Sequence, residues 1–333
     1  MREYRFDVVR VICMTYLVAY FHLYDYIYPQ GRMTIYTPVS IAMAHACLGL
    51  FTFVSGYLLG KKYCFGQQGN CDAWTFYKKR ILRIIPLFLL SSIVLWFINF
   101  NGTHATLNGL LCISPFVDPK PRTTYYIPII LWCYLVTPLI SRRELKWRVL
   151  GCLSFFVLLV VALCLFPAID SRFVFDVFFY FVGVVSASCF DWKFNTSYGT
   201  TMKMLVVLTF VLLVAFAIKY SLLYPNSCQM AVGGVGVFPL LFICEGICRL
   251  IYSHQCVRQN LYSRLASFIV EKVSYASMAC YMFHRFFYWL TETVWTPSDT
   301  TLKWLYMVGF IYPLMLVLSY IIQKKYDNIV NKL

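Results

Sequence analysis

The stretch RFDVVRVICMTYLVAYFH, residues 5–22, is apolar and long enough to begin crossing a bilayer, yet it carries Arg5, Asp7, Arg10 and His22. About 20 helical residues cross the ~30 Å hydrocarbon core. An ionisable group held at that depth costs roughly 2.5 to 3.5 kcal/mol on insertion scales, so it turns toward protein or a wet cavity. A helix of this kind needs other helices to receive its polar side.

The remainder of the chain supplies them. With 60% hydrophobic and 13% charged residues and a mean hydropathy of +0.68, the 333 residues hold more apolar surface than one soluble core can hide. Ten apolar stretches recur, at 7–27, 38–60, 82–100, 124–141, 148–167, 173–190, 203–223, 229–251, 268–290 and 302–323. Their length and lack of alternation predict helices rather than barrel strands. No soluble domain fits between them and no repeat is visible, so the expected architecture is all-α: one polytopic transmembrane bundle over residues 1–333.

Basic loops tend to stay cytoplasmic, and placing both termini there puts most of the 29 Lys and Arg on the inner side. That bias and contact with membrane lipids account for the formal charge of +15 without a nucleic-acid partner. The first span is too long for a secretory signal and reads as retained, in a multi-pass protein of the plasma (inner) membrane. Most of the 14 cysteines lie within spans as small apolar residues. Cys64 and Cys71 share the loop CFGQQGNC, which lacks the histidine or second cysteine pair of a metal site, so no metal is expected. The apolar stretch LNGLLCI, residues 107–113, is too short to span and predicts a surface or re-entrant piece.

Three groups of charges inside or beside the spans carry chemistry. On the first, Asp7 and Arg10 are three apart and can pair, as can His22 and Asp25. Alternatively Arg10 snorkels to the headgroups and His22 caps the outer end. The second, FYKKRILRIIP at 76–86, clusters Lys78, Lys79, Arg80 and Arg83 at the start of the third span. Guanidinium forks grip phosphate oxygens, although the same cations also make an ordinary cytoplasmic anchor. The third, KVSYASMACYMFHRFFYW at 272–289, brings His284 and Arg285 to the depth of His22, which suggests a shared polar cavity. Asp176 and Glu245 are further intramembrane carboxylates, open to catalytic or purely interhelical roles. Ser55 reads as a packing residue in Ser-Gly-Tyr, and the run AVGGVGVFP at 231–239 as a close helix contact.

The succession FDVVR and YFH, FTFVSGYLLGKK, FYKKRILRIIPLFLL, YYIPIILWCYLVTPLI and VSYASMACYMFH resembles integral-membrane acyltransferase family 3, nearly end to end and in the family's order. The fourth segment is similar to the O-acetyltransferase branch, with Tyr125, Tyr126, Ile127 and Pro128 where a Trp-Phe-Leu-Pro pattern is common. The resemblance implies an O-acyltransferase of surface polysaccharides or lipid-linked sugars that uses acyl-coenzyme A, most simply acetyl-CoA. It places the family's first-span arginine and histidine on Arg10 and His22, its preceding aspartate on Asp7, its Arg-x-x-Arg on Arg80 and Arg83, and its serine before glycine on Ser55. The family pattern has ten residues between arginine and histidine, whereas eleven intervene here. On a regular helix the two side chains then lie about 120° apart instead of about 20°. A π-bulge would absorb the extra residue; otherwise the two act at different places.

In the implied mechanism, Arg80, Arg83 and Lys79 hold the donor's phosphates while its pantetheine arm carries the thioester through an internal channel. His22 acts as general base on the acceptor hydroxyl and Asp25 orients it. Arg10 steadies the oxyanion or the donor arm, and Asp7, His284, Arg285 and Ser55 are candidate substrate contacts. A transporter or flippase of a glycan precursor would also use buried charges, but spans 1–5 and 6–10 share no matching charge pattern.

Overall fold

The computed structural model describes residues 4–28, 38–64, 73–141, 145–166, 168–189, 225–252 and 261–330, and all regular structure among them is helical. In chain order the elements are α1 (Tyr4–Thr15), a π-helical stretch (Tyr16–His22), α2 (Tyr24–Ile27), α3 (Pro38–Cys64), α4 (Ala73–Phe97), α5 (Thr103–Leu110), α6 (Tyr126–Ser141), α7 (Leu145–Leu165) and α8 (Ser171–Cys189). Then follow α9 (Pro225–Tyr252), α10 (Leu261–Val294), α11 (Thr300–Tyr306), a second π-helical stretch (Met307–Ile311) and α12 (Tyr312–Val330).

Nine of the ten expected spans fall on described helices, and the tenth, 203–223, lies outside the described residues together with most of the CFGQQGNC loop. Six helical runs among the described residues are long and apolar enough to cross a membrane: Tyr4–Ile27, Val39–Lys62, Ala73–Phe97, Arg148–Leu165, Met230–Ile251 and Thr300–Val330. The protein is a polytopic helical membrane protein. The third helix reaches further toward its N-terminus than the apolar stretch from 82: α4 begins at Ala73 and carries the cations of FYKKRILR, with Arg80 and Arg83 on it as expected. No glycine or proline interrupts the run before Pro86, so nothing stops the helix from extending toward its N-terminus.

The chain forms two compact units, residues 1–51 with 194–333, and residues 52–193. In the first, α1 packs on α9 and α10, and α10 packs on α12. Met14, Val18, Leu23, Cys280, Tyr288, Met307 and Met315 form its core. The expected close helix contact at the glycine run is present, because a Cβ on Gly233 would stand 2.7 Å from Ala42 O and 2.6 Å from His45 Cβ.

In the second unit α8 packs on α6 and α7, around a core that includes Ile129, Cys133, Phe173, Val177 and Tyr180. Backbones approach most closely between α3 and α8. A Cβ on Gly56 would fall 2.1 Å from Tyr180 O, and one on Gly183 would fall 2.2 Å from Phe53 O. Small residues let membrane helices meet this way, so Ser55 belongs to a packing segment. The helices α4 and α5 both end in left-handed residues, Asn99 (φ 54°) and Cys112 (φ 58°). Phe100 N–H then bonds Leu95 O, and Ile113 N–H bonds Asn108 O, the six-to-one closure that satisfies terminal carbonyls. Asn101 is buried beneath this corner and accepts from Arg122 N–H at 3.1 Å.

Candidate active site

Thr15 to Leu23 departs from regular α geometry, with Tyr16–His22 wound as a π-helix. One extra residue in a widened turn sets the following side chains back by about 100°, so the 120° expected between Arg10 and His22 falls to about 20°. The two therefore share a side of the first span. Two carbonyls of the widened stretch accept from α10: Tyr288 OH donates to Val18 O at 3.1 Å and Arg285 Nη1 to His22 O at 3.2 Å.

His22 meets His284 edge to edge. Nδ1 of His22 lies 2.8 Å from Nε2 of His284, and the ring planes are within 5° with centroids 4.8 Å apart. An N···N separation this short is closer than face-to-face stacking permits, so the contact is a hydrogen bond. Its direction follows from the next link. His284 Nδ1 lies 2.7 Å from Tyr281 O, and a carbonyl only accepts, so the hydrogen sits on His284 Nδ1. In the neutral ring Nε2 then offers a lone pair, and His22 Nδ1–H donates to it. The lone pair of His22 is left on Nε2. His284 is fully buried, whereas His22 is half-buried, so of the two rings His22 is the accessible one.

Asp25 does not orient His22 as expected. Its Oδ2 forms an ion pair with Arg285 Nη1 at 2.8 Å, while the hydrogen-bonding partner of the His22 ring is His284. The reason is geometric: the Arg285 guanidinium bridges the Asp25 carboxylate and the His22 carbonyl, and its face lies 5.5 Å from the Tyr26 ring centroid. Tyr26 OH donates to Arg285 O at 3.2 Å, and Lys303 Nζ donates to Tyr26 O at 2.7 Å and to Glu292 Oε1 at 2.5 Å. Toward the other end of α1, the buried Asp7 accepts from Ser274 Oγ at 2.6 Å and lies 3.6 Å from Arg10. The helical rise leaves Arg10 roughly 17 Å along the axis from His22. It is on the same side but beyond reach of an atom bonded to the imidazole.

In the second unit Arg80 and Arg83 occupy different surroundings. Arg80 lies over Phe76 and Tyr134, 5.7 and 5.5 Å from the ring centroids, whereas Arg83, Lys78 and Lys79 are exposed and have no acidic partner among the described residues. Glu245, in the first unit, is accounted for by Arg249 at 2.7 Å, one helical turn on. Asp176 is buried with Oδ1 unpartnered. Asp170, just ahead of α8, takes the Arg172 fork at 2.6 to 3.1 Å. Burial pushes the Asp170 carboxyl up, but Arg172, aided by Lys120, outweighs it and holds the group below the ordinary carboxylate range.

A family model described as an acyltransferase domain, that of acyltransferase family 3, matches residues 3–324. The chain belongs to acyltransferase family 3. Comparison with curated proteins gave no match, and comparison with solved structures gave none. For this acyltransferase, sequence reasoning missed two things that the fold shows: the Tyr281 carbonyl that sets the His284 tautomer, and the Asp25–Arg285 pair. The second had a signal, since opposite charges stood at matching depths on the first and ninth spans. The first had none, because a backbone acceptor leaves no mark in a sequence.

Proposed function

We propose that this acyltransferase moves a short acyl group, most simply acetyl, from acyl-coenzyme A to a hydroxyl of a cell-surface or lipid-linked sugar, in the plasma membrane, with His22 Nε2 as the general base. The observation that carries this reading is the chain His22 Nδ1–H to His284 Nε2, with His284 Nδ1–H to Tyr281 O. It leaves the basic lone pair on the accessible ring and holds that ring in one orientation. As the acceptor oxygen attacks the thioester carbonyl, its proton passes to His22 Nε2. The tetrahedral centre then collapses with cleavage of the C–S bond, and the proton leaves with the coenzyme A thiol. The acyl ester and free thiol are the products, and His22 returns to its neutral form.

Arg285, fixed between Asp25 and the His22 carbonyl, keeps the imidazole-bearing turn in place. Arg10, on the same side of the span but too far for the oxyanion, serves the donor arm. Exposed Arg83, with Lys79 beside it and Arg80 packed behind on aromatic rings, offers positive charge without an acidic partner among the described residues, which coenzyme A phosphates need. The test is transfer from radiolabelled acetyl-CoA by purified protein in vesicles containing the surface glycan. His22→Ala should cut transfer by roughly 10² to 10⁴ while the protein remains folded and inserted. Near-normal turnover by that variant would remove the base from the mechanism.

A further inference from the structure

Tyr288 stands on α10 one turn beyond His284, fully buried, and touches the candidate site at three points. Its hydroxyl donates to Val18 O at 3.1 Å. Its ring meets His284 edge-on, with centroids 6.1 Å apart and planes at 80°, and lies against the Tyr26 ring at 5.3 Å. Val18 is one helical turn ahead of His22. Regular α winding gives the N–H of His22 to the carbonyl of Val18, whereas the i→i+5 winding of a π-helix carries that N–H to the carbonyl one residue earlier. The phenol therefore bonds the carbonyl whose pairing the winding changes, inside the stretch Tyr16–His22.

A buried phenol needs an acceptor, and a carbonyl whose helical pairing has shifted gains from a second donor, so each serves the other where water is excluded. Return of the stretch to α winding would turn His22 by about 100° around the helix axis, away from His284 Nε2. Arg285 holds the far end of the stretch through the His22 carbonyl, and Tyr288 holds its middle through Val18. We infer that Tyr288 is a positioning residue: its hydroxyl keeps the first span in the winding that brings His22 to His284, and its ring backs the His284 imidazole. This deepens the acyl-transfer reading and rests on it for the reaction served. The placement of His22, by contrast, is measured without any turnover.

Nuclear magnetic resonance on the full-length protein in nanodiscs, isotope-labelled at its histidine nitrogens, gives that measurement. The signal is the nitrogen–nitrogen coupling across the hydrogen bond from His22 Nδ1 to His284 Nε2, assigned by its disappearance in His284→Gln. Tyr288→Phe keeps the ring and removes only the hydroxyl. Its cross-peak and its kcat for transfer from acetyl-CoA should fall together, roughly three- to tenfold, the range for one neutral hydrogen bond, with KM for acetyl-CoA unchanged. Tyr312→Phe is the comparison, because Tyr312 brings a buried phenol of the same core to the Thr15 side chain, at 2.8 Å from Oγ1, and not to a carbonyl of the widened stretch. It should leave the cross-peak at wild-type strength. An unchanged cross-peak in Tyr288→Phe would overturn the inference. Equal loss in both variants, or failure of Tyr288→Phe to fold, would also overturn it and assign Tyr288 to general packing. A weakened cross-peak with undiminished kcat would leave Tyr288 in its positioning role and count against His22 as the base, so the two failures are told apart.

Discussion

The surroundings of His22 and the seam between α6 and α8 treat buried polar groups differently. Around His22, the neighbouring ring and charges are committed to protein partners: His284 to Tyr281, Asp25 to Arg285, Lys303 to Glu292. Along the seam Asp176 keeps a buried oxygen without a hydrogen-bonding partner, and elsewhere in that unit the exposed Arg83 has no acidic partner among the described residues. Machinery that must hold one geometry through a reaction gains from saturation, since a ring with one permitted tautomer needs no reorganisation when the proton moves. Surfaces that must accept something gain from vacancy. The difference separates groups that the fold holds in place from groups that it leaves open, and it can be tested residue by residue.

The sharpest break would come at the histidine pair. His284→Leu removes the acceptor for His22 Nδ1–H and should lower kcat by a factor approaching, but smaller than, the 10² to 10⁴ lost with the base itself. His284→Gln restores an acceptor at the same place and should recover much of the rate, with the pH profile of kcat returning toward that of the wild type. A purely structural histidine would lose folding in both variants and show no such rescue.

An ion-paired arginine and an exposed one should then separate stability from binding. Arg285→Met leaves Asp25 without its cation and should lower unfolding stability by about 2 to 3 kcal/mol, less than a fully buried pair because Asp25 is 25% exposed. The double change with Asp25→Leu should restore much of that stability without restoring turnover. Arg83→Met should leave stability within about 0.5 kcal/mol and instead raise the KM for acetyl-CoA. Chemical denaturation in mild detergent and initial rates at varied donor concentration read the two effects.

The smallest effect is expected at the rim of the second unit. The Asp170 carboxyl is lower in the folded protein than in the unfolded chain, so its pair with Arg172 adds stability above the unfolded value and loses it as pH falls through the folded one. The advantage of wild type over Asp170→Asn in unfolding midpoint should be present at pH 7 and shrink once the pH drops below about 4. A difference that stays constant down to pH 3 would show that Asp170 acts through packing or its bond to Arg172 N–H instead.

Much of this was legible in the amino acids. The apolar runs at 7–27 and 38–60 had to be membrane helices, because nothing else hides that much surface or satisfies the backbone in lipid. The order of motifs from FDVVR to VSYASMACYMFH pointed to the family, and the extra residue between Arg10 and His22 already demanded either a π-bulge or separate roles. Only the folded structure shows the π-helical stretch, whose carbonyls at Val18 and His22 accept from side chains of α10. It also decided that Asp25 belongs to Arg285 and not to His22, and that Asp176 keeps an open oxygen while Asp170 does not. Composition and spacing determine which face of a helix a charge occupies; whether a partner waits opposite depends on residues hundreds of positions away, brought near only when the chain packs.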